Sequence, residues 1–290
     1  MTDTVRVAAI QMNCHLADIA TNLAQAETLL AEVAGRADIA CLPELFTTGY
    51  NLDELGAALF DLAEPVPAAP DEAAGPTITR LCRLAAQLDL AIIAGLVERD
   101  PLVAGLLYDS AVLISRQGRI CGRYRKSHLY PAEHRFFRPG DALPVFELDG
   151  LRVGLAICFE AAFPPIFSTL ALGGAQIVFN PSAVPVGYGY LQDLRTRARA
   201  QDNQIFVVAV NHVGAEGGEA GIASNARLRA VTYCGQSQVA DPRGDVLALA
   251  PGDQPAAIVA ELDLALIRQQ RLQEPILRGF RPEFYRFRNP

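Results

Sequence analysis

Nothing in this sequence is apolar over a long enough run to span a bilayer. Its hydrophobic stretches are short and broken by turn residues, well under the ~20 residues such a span needs. The N-terminus, MTDTVRVAAIQM, has no basic region ahead of a long apolar core, so no signal peptide is expected. A basic excess is also missing. The net charge is −7 and the pI about 5.2, which argues against a nucleic-acid or membrane partner and suits a soluble cytoplasmic protein. The six cysteines (Cys14, Cys41, Cys82, Cys121, Cys158 and Cys234) include no CxxC pair, and their spacings match neither a zinc site nor a disulfide framework. Histidines are scarce and scattered, at His15, His128, His134 and His212, so spacing offers no metal site and no cofactor is expected. No GxGxxG joins a strand to a helix, which argues against a dinucleotide-binding fold.

What is present is a large apolar inventory, 51% of 290 residues, in short β-rich runs alternating with helical stretches. VRVAAIQM and ADIACLPE read as strands on either side of a helix over 18–34 that Gly35 closes. The proline-rich segment 63–76 reads as a surface loop, followed by a helix to about residue 88 and by the strands LAIIAGLVER, SAVLIS and ICGRYRK. Asp149-Gly150, flanked by β-type residues, predicts a hairpin, and Pro242-Arg243-Gly244 a second. Helices are expected over about 165–173 and 190–203. Runs such as IVFN and IFVVAV are apolar on both faces, as strands buried between layers should be. About ten strands and four substantial helices, without repeats, read as one α/β domain of stacked mixed sheets covered by helices over 1–264. Residues 265–290 read as an exposed tail or an arm that embraces a partner subunit.

The stretch GLAICFEAAFPP places a cysteine where a strand runs out. Most cysteines are small buried hydrophobes. Here, though, Pro164-Pro165 can only open a helix, so Cys158 sits at a strand-to-helix elbow with backbone N–H groups at hand for an oxyanion. A thiol is only slightly ionised at neutral pH and needs a base or a cation beside it. Strand ends converge in space, so the partners are sought at other strand exits. Glu44 ends the apolar strand of ADIACLPE, where desolvation would raise its basicity. Lys126, in GRYRKSHLYPAEHRFFRPG, stands at another exit, and Glu133 follows it in the same loop. Read blandly, Glu44 is a solvated carboxylate and Lys126 part of a basic edge.

PELFTTGY, RYRKSHL and GLAICFE, in this order, together resemble the nitrilase superfamily of carbon–nitrogen hydrolases, with further likeness from VAAIQM to CGQSQVADPRGDVLA. The resemblance implies an αββα sandwich and a triad of Glu44 as general base, Lys126 as oxyanion stabiliser and Cys158 as nucleophile. It puts Glu133 where many members carry a second glutamate, and it implies a homodimer or higher homo-oligomer. Tyr50, Phe159, Glu160, Ala183 and Tyr188 are the candidate substrate-binding residues, with the Phe159 N–H as a second oxyanion donor. The implied reaction is hydrolysis of a small amide through a thioester, with N-carbamoyl amines and nitriles as alternatives. Relatives that cleave N-carbamoyl amino acids place arginines just after the nucleophile, where this chain has Ala161 and Ala162, and Pro165 stands where many relatives have glutamate. Two other readings remain: a non-catalytic relative that keeps the fold, and a Cys–His hydrolase using His128 or His212.

Overall fold

The computed structural model describes residues 4–217 and 230–285. Its strands are β1 (Thr4–Gln11), β2 (Ile39–Cys41), β3 (Ala91–Arg99), β4 (Leu107–Ile114), β5 (Ile120–Arg125), β6 (Val145–Leu148), β7 (Leu151–Leu155), β8 (Ile177–Ser182), β9 (Phe206–Asn211), β10 (Val213–Glu216), β11 (Val231–Cys234), β12 (Gln238–Ala240), β13 (Val246–Leu249) and β14 (Ala256–Asp263). The helices are α1 (Ile19–Val33), α2 (Leu52–Leu55), α3 (Ala58–Leu62), α4 (Pro76–Leu88), α5 (Pro164–Leu172), α6 (Gly189–Asn203), α7 (Ala265–Gln273) and α8 (Ile276–Gly279). One sheet runs β14-β1-β2-β3-β4-β5 and the other β13-β12-β9-β8-β7-β6. In each, the central neighbours are parallel and the edges antiparallel.

Alternation along the strands builds the layers. Val7 and Ala9 of β1 face Val153, Phe179 and Val208 of the second sheet in the core between the sheets. Their neighbours Ala8 and Ile10 face outward, under Leu23 and Leu30 of α1 and Leu81 of α4. On the far side, Phe167 and Leu170 of α5 and Ala200 of α6 cover Val178 and Val207. This is the expected αββα sandwich. Full burial of each large apolar side chain is worth about 1.5–3 kcal/mol, so the two sheets hold each other without staples.

Several local expectations meet their cause here. Asp149 and Gly150 both take positive φ (49° and 84°), the requirement of a two-residue hairpin turn whose twist matches its strands, and they join β6 to β7. The segment 63–76, expected on the surface, is buried in its first half. Glu64 turns inward and accepts the Thr77 N–H at 3.0 Å, capping α4, and Val66 packs under the same helix. The short pair β10–β11 was not expected, since its few residues carry no clear alternation. In the expected tail, α7 follows β14 directly. Ile267 enters the core between the sheets, Gln204 donates to the Gln270 carbonyl at 3.2 Å, and Leu277 packs on α5 and α6, so this part lies on its own chain. Residues 286–290 of the tail lie outside the described residues.

Candidate active site

Three strands stop short of the residues they deliver. β2 ends at Cys41, β5 at Arg125 and β7 at Leu155, so Glu44, Lys126 and Cys158 all stand on the irregular backbone beyond the sheets. Gly95 of β3 makes room for the first of these. A Cβ there would come within 2.6 Å of the Pro43 carbonyl and 2.8 Å of the Glu44 Cα. Cys158 opens a single 3₁₀ turn, Cys158–Ala162, from which Pro164 starts α5. Its φ of 47° lies in the left-handed region that a non-glycine residue occupies only under constraint. Asn180 of β8 supplies part of that constraint, its amide donating to the carbonyl of Ala156 and, at 3.5 Å, to that of Cys158.

Lys126 is fully buried among carboxylates. Its Nζ lies 2.6 Å from Glu44 Oε1, 2.7 Å from Glu133 Oε1 and 3.3 Å from Asp109 Oδ2. Burial alone would lower the lysine pKa, but Glu44, Glu133 and Asp109 outweigh it and hold the ammonium well above its usual range. These three carboxylates are close enough together to ligate a cation, and Lys126 Nζ is the cation they surround. Burial, opposed by Lys126 and reinforced by Glu44, raises the Glu133 and Asp109 carboxyls, Asp109 strongly. Glu133 is further fixed by the Tyr50 hydroxyl and by the Tyr130 N–H at 2.8 Å.

Glu44 keeps one oxygen free. Oε1 is taken by Lys126, whereas the buried Oε2 has no hydrogen-bond donor among the described residues. Cys158 lies in the field of this cluster. Burial first, then Glu44 and Glu133, push its thiol well above the usual range, against the pull of Lys126 and of the Ala183 N–H. The resting group is therefore a thiol, and it needs a base at the moment of attack.

Behind Glu44 lies a second buried group. His212 Nε2 is 2.5 Å from the Glu44 backbone oxygen and Nδ1 is 2.7 Å from Glu216 Oε1, while Glu216 Oε2 accepts the N–H groups of Tyr50 (2.8 Å) and Asn51 (3.1 Å). Burial would lower the His212 pKa, but Cys14 and Glu216 raise it well above the usual value, so an imidazolium braces the Glu44 backbone. Cys14 lies just beyond β1 with its Sγ 3.9 Å from His212 Nε2. Both ring nitrogens of His212 are committed. His128 is exposed, its Nδ1 on Ser127 Oγ at 2.9 Å and its ring against Phe163. Neither histidine is placed to serve Cys158, and the Cys–His reading falls.

A cavity of about 170 Å3 opens over Cys158, small beside the ~300–1,000 Å3 of drug-sized sites. Of the candidate substrate contacts, Tyr50, Phe159, Ala183 and Tyr188 line it. Glu160 does not; this expectation is corrected. Its carboxylate turns away into the protein and accepts from the Ile157 N–H (2.6 Å), the Tyr124 hydroxyl (2.7 Å) and the Ser127 N–H (2.8 Å). The Ile157 amide, at the mouth of the 3₁₀ turn, and the Ser127 amide, in the Lys126 loop, are both satisfied by this one buried carboxylate. Glu160 is thus a strut between the Lys126 loop and the Cys158 elbow. Replacing it by alanine strands several buried donors at ~1–3 kcal/mol each. A denaturant titration of Glu160→Ala should read a loss of about 3 kcal/mol or more, and an unchanged midpoint would contradict this role.

Sequence reasoning missed Asp109, Asn180, Tyr130, Leu191 and Arg195. Asp109 and Asn180 were detectable as polar residues inside otherwise apolar strands, in YDSAVLI and VFNPS. Arg195 was hidden in the basic run RTRARA, which reads as a solvated helix face.

A thiol on a strained elbow, facing a carboxylate tied to a buried ammonium across two stacked sheets, defines a cysteine-nucleophile hydrolase of the αββα type. The chain belongs to the carbon-nitrogen hydrolase family, whose profile matches residues 6–272. It is 35% identical to a nitrilase of Pyrococcus abyssi over 97% of this chain and 99% of that one. It is 32% identical to an N-carbamoylputrescine amidase of Solanum lycopersicum over 97% of this chain and 94% of that one. Among solved structures, an amidase of Nesterenkonia AN1 from the nitrilase superfamily superposes with a TM-score of 0.78 at 25% identity, covering 97% of this chain and 96% of that one. The chain is a carbon–nitrogen hydrolase with amidase relatives.

Proposed function

We propose that the enzyme hydrolyses a primary amide of a small carboxylic acid through a thioester on Cys158. The observation that carries this reading is the buried Glu44–Lys126 pair with Glu44 Oε2 left free in the field of the Cys158 thiol. Glu44 takes the thiol proton as sulfur bonds to the amide carbon, and the carbonyl π pair moves onto oxygen. Lys126 and the Phe159 N–H hold that oxyanion. Glu44 then passes the proton to nitrogen, the C–N bond breaks and ammonia leaves. Water adds to the thioester as Glu44 takes its proton. The C–S bond breaks, and the proton returns from Glu44 to sulfur. Glu133 and Asp109 keep Lys126 charged and fixed, and Tyr50 fixes Glu133. The cavity's small volume supports a small acyl group.

The expected homodimer and cytoplasmic setting belong to the same proposal. Exposed Tyr190 and Leu194, one helical turn apart on α6, support a subunit contact, and six free cysteines suit a reducing compartment. The test is a panel of short aliphatic amides, N-carbamoyl amines and nitriles assayed for released ammonia. Amides should be turned over with the highest kcat/KM. Preference for a carbamoyl amine or a nitrile would move the substrate class, and no turnover across the panel would favour the non-catalytic relative.

A further inference from the structure

Helix α6 carries three arginines at alternate positions, and two of them are in use. Arg197 Nε donates to the Gly244 carbonyl at 2.9 Å and its guanidinium lies 3.9 Å from Asp193. Arg199 Nε donates to the Ala161 carbonyl at 3.1 Å and pairs with Asp202 at 3.6 Å. Arg195 is different. It is half-buried in the wall of the cavity that contains Cys158, and it has no ion pair, hydrogen bond or aromatic partner among the described residues. The electrostatic neighbour it does have, Arg199, is of the same sign.

Among the described residues, the rest of the cavity wall offers no counter-ion. Tyr188, Leu191, Val184 and Pro185 surround that side with apolar and aromatic groups, and no carboxylate lines the space among the described residues. The carboxylates of Glu44, Asp109 and Glu133 are gathered on Lys126, and those of Glu160 and Glu216 are engaged by donors of their own. The cavity is therefore polarised, with carboxylates behind the nucleophile and an uncompensated guanidinium in the wall. A guanidinium in such a place is matched by a planar anion that it can hold with two parallel hydrogen bonds. An ammonium on the substrate would instead meet a like charge.

We infer that Arg195 is a specificity-determining residue that binds a carboxylate on the non-reacting end of the substrate, so that the enzyme acts on ω-monoamides of short dicarboxylic acids. This rests on the amide reading above and narrows it. It also reopens carboxylate recognition, which Ala161 and Ala162 had argued against: the cation is supplied by α6 rather than by the turn after the nucleophile. The same charge disfavours substrates with an amine tail, such as a carbamoylated diamine.

The test compares three amides of matched length: succinamate, butyramide and 4-aminobutanamide. For the parent enzyme kcat/KM should fall in that order, with succinamate ahead of butyramide by at least about tenfold, as a charge-assisted pair warrants. In Arg195→Gln the succinamate-to-butyramide ratio should collapse toward one, Arg195→Lys should keep part of it, and Arg195→Glu should favour 4-aminobutanamide. A second measurement needs no turnover: calorimetric binding of succinamate and butyramide to Cys158→Ala, where succinamate should bind at least about tenfold tighter. A parent ratio near one, a preference for the amine, or equal binding of the two ligands would overturn the inference and leave amide hydrolysis itself standing. If no amide is hydrolysed, the amide reading fails, and the binding ratio alone decides whether Arg195 is an anion site.

Discussion

Cys158→Ala should reduce amide turnover to background, a loss on the order of 10⁴–10⁶, while the protein folds as before. The size of the effect follows from covalent catalysis. Glu44 and Lys126 can still polarise a bound amide, but without sulfur no thioester forms, and one difficult displacement by water replaces two easier steps. The fold should survive because the thiol is half-buried and Ala fills most of its space. The backbone makes a finer point. At φ 47° any L side chain is strained, whereas glycine is not. Cys158→Gly should therefore be more stable than Cys158→Ala by about 1 kcal/mol in denaturant titrations. If alanine proved the more stable, the elbow would not be storing strain.

Lys126→Met should be damaging in two separable ways. Loss of the oxyanion cation should cut kcat by roughly 10²–10³. Loss of the charge at the centre of three buried carboxylates should cost about 3–5 kcal/mol of stability, since an unpaired buried charge is far worse than a pair. The sign of the pH dependence distinguishes this from simple loss of packing. In the parent, the raised Lys126 pKa contributes stability that is fully present below the unfolded lysine value and is lost as pH rises through the folded one. Asp109 and Glu133 are shifted upward by burial, and Lys126 opposes that shift. With the lysine gone they shift further, and a carboxyl raised in the folded state weakens folding as pH climbs past its unfolded value. The deficit of Lys126→Met should thus widen from about pH 4 toward neutrality and shrink on acidification. A deficit independent of pH would mean that the missing side chain, not the missing charge, is responsible.

The sandwich was readable because each layer leaves a local signature. Doubly apolar strands such as β8 and β9 announce burial on both faces, and Asp149-Gly150 announces the turn that sets the register of β6 and β7. Glu44, Lys126 and Cys158 were readable for a similar reason: each is a chemically capable residue placed where its strand must end. Residues whose role depends on direction alone were not. Glu160 is two positions from the nucleophile yet points away from substrate, because the amides of Ile157 and of Ser127 in the Lys126 loop claim its carboxylate. Arg195 shares a helix with two structural arginines, and only the packing of α6 against the Cys158 turn singles it out. Asp109 sits mid-strand, and nothing local says that Lys126, a neighbour only through sheet pairing, lies over it.

The central claim is a bond between substrate and sulfur, and intact-protein mass spectrometry reads it directly. Enzyme acid-quenched during turnover of butyramide should gain the mass of one butyryl group, located by peptide mapping on Cys158 and absent from Cys158→Ala. Steady turnover with no acyl adduct, or with the adduct on another residue, would contradict the account.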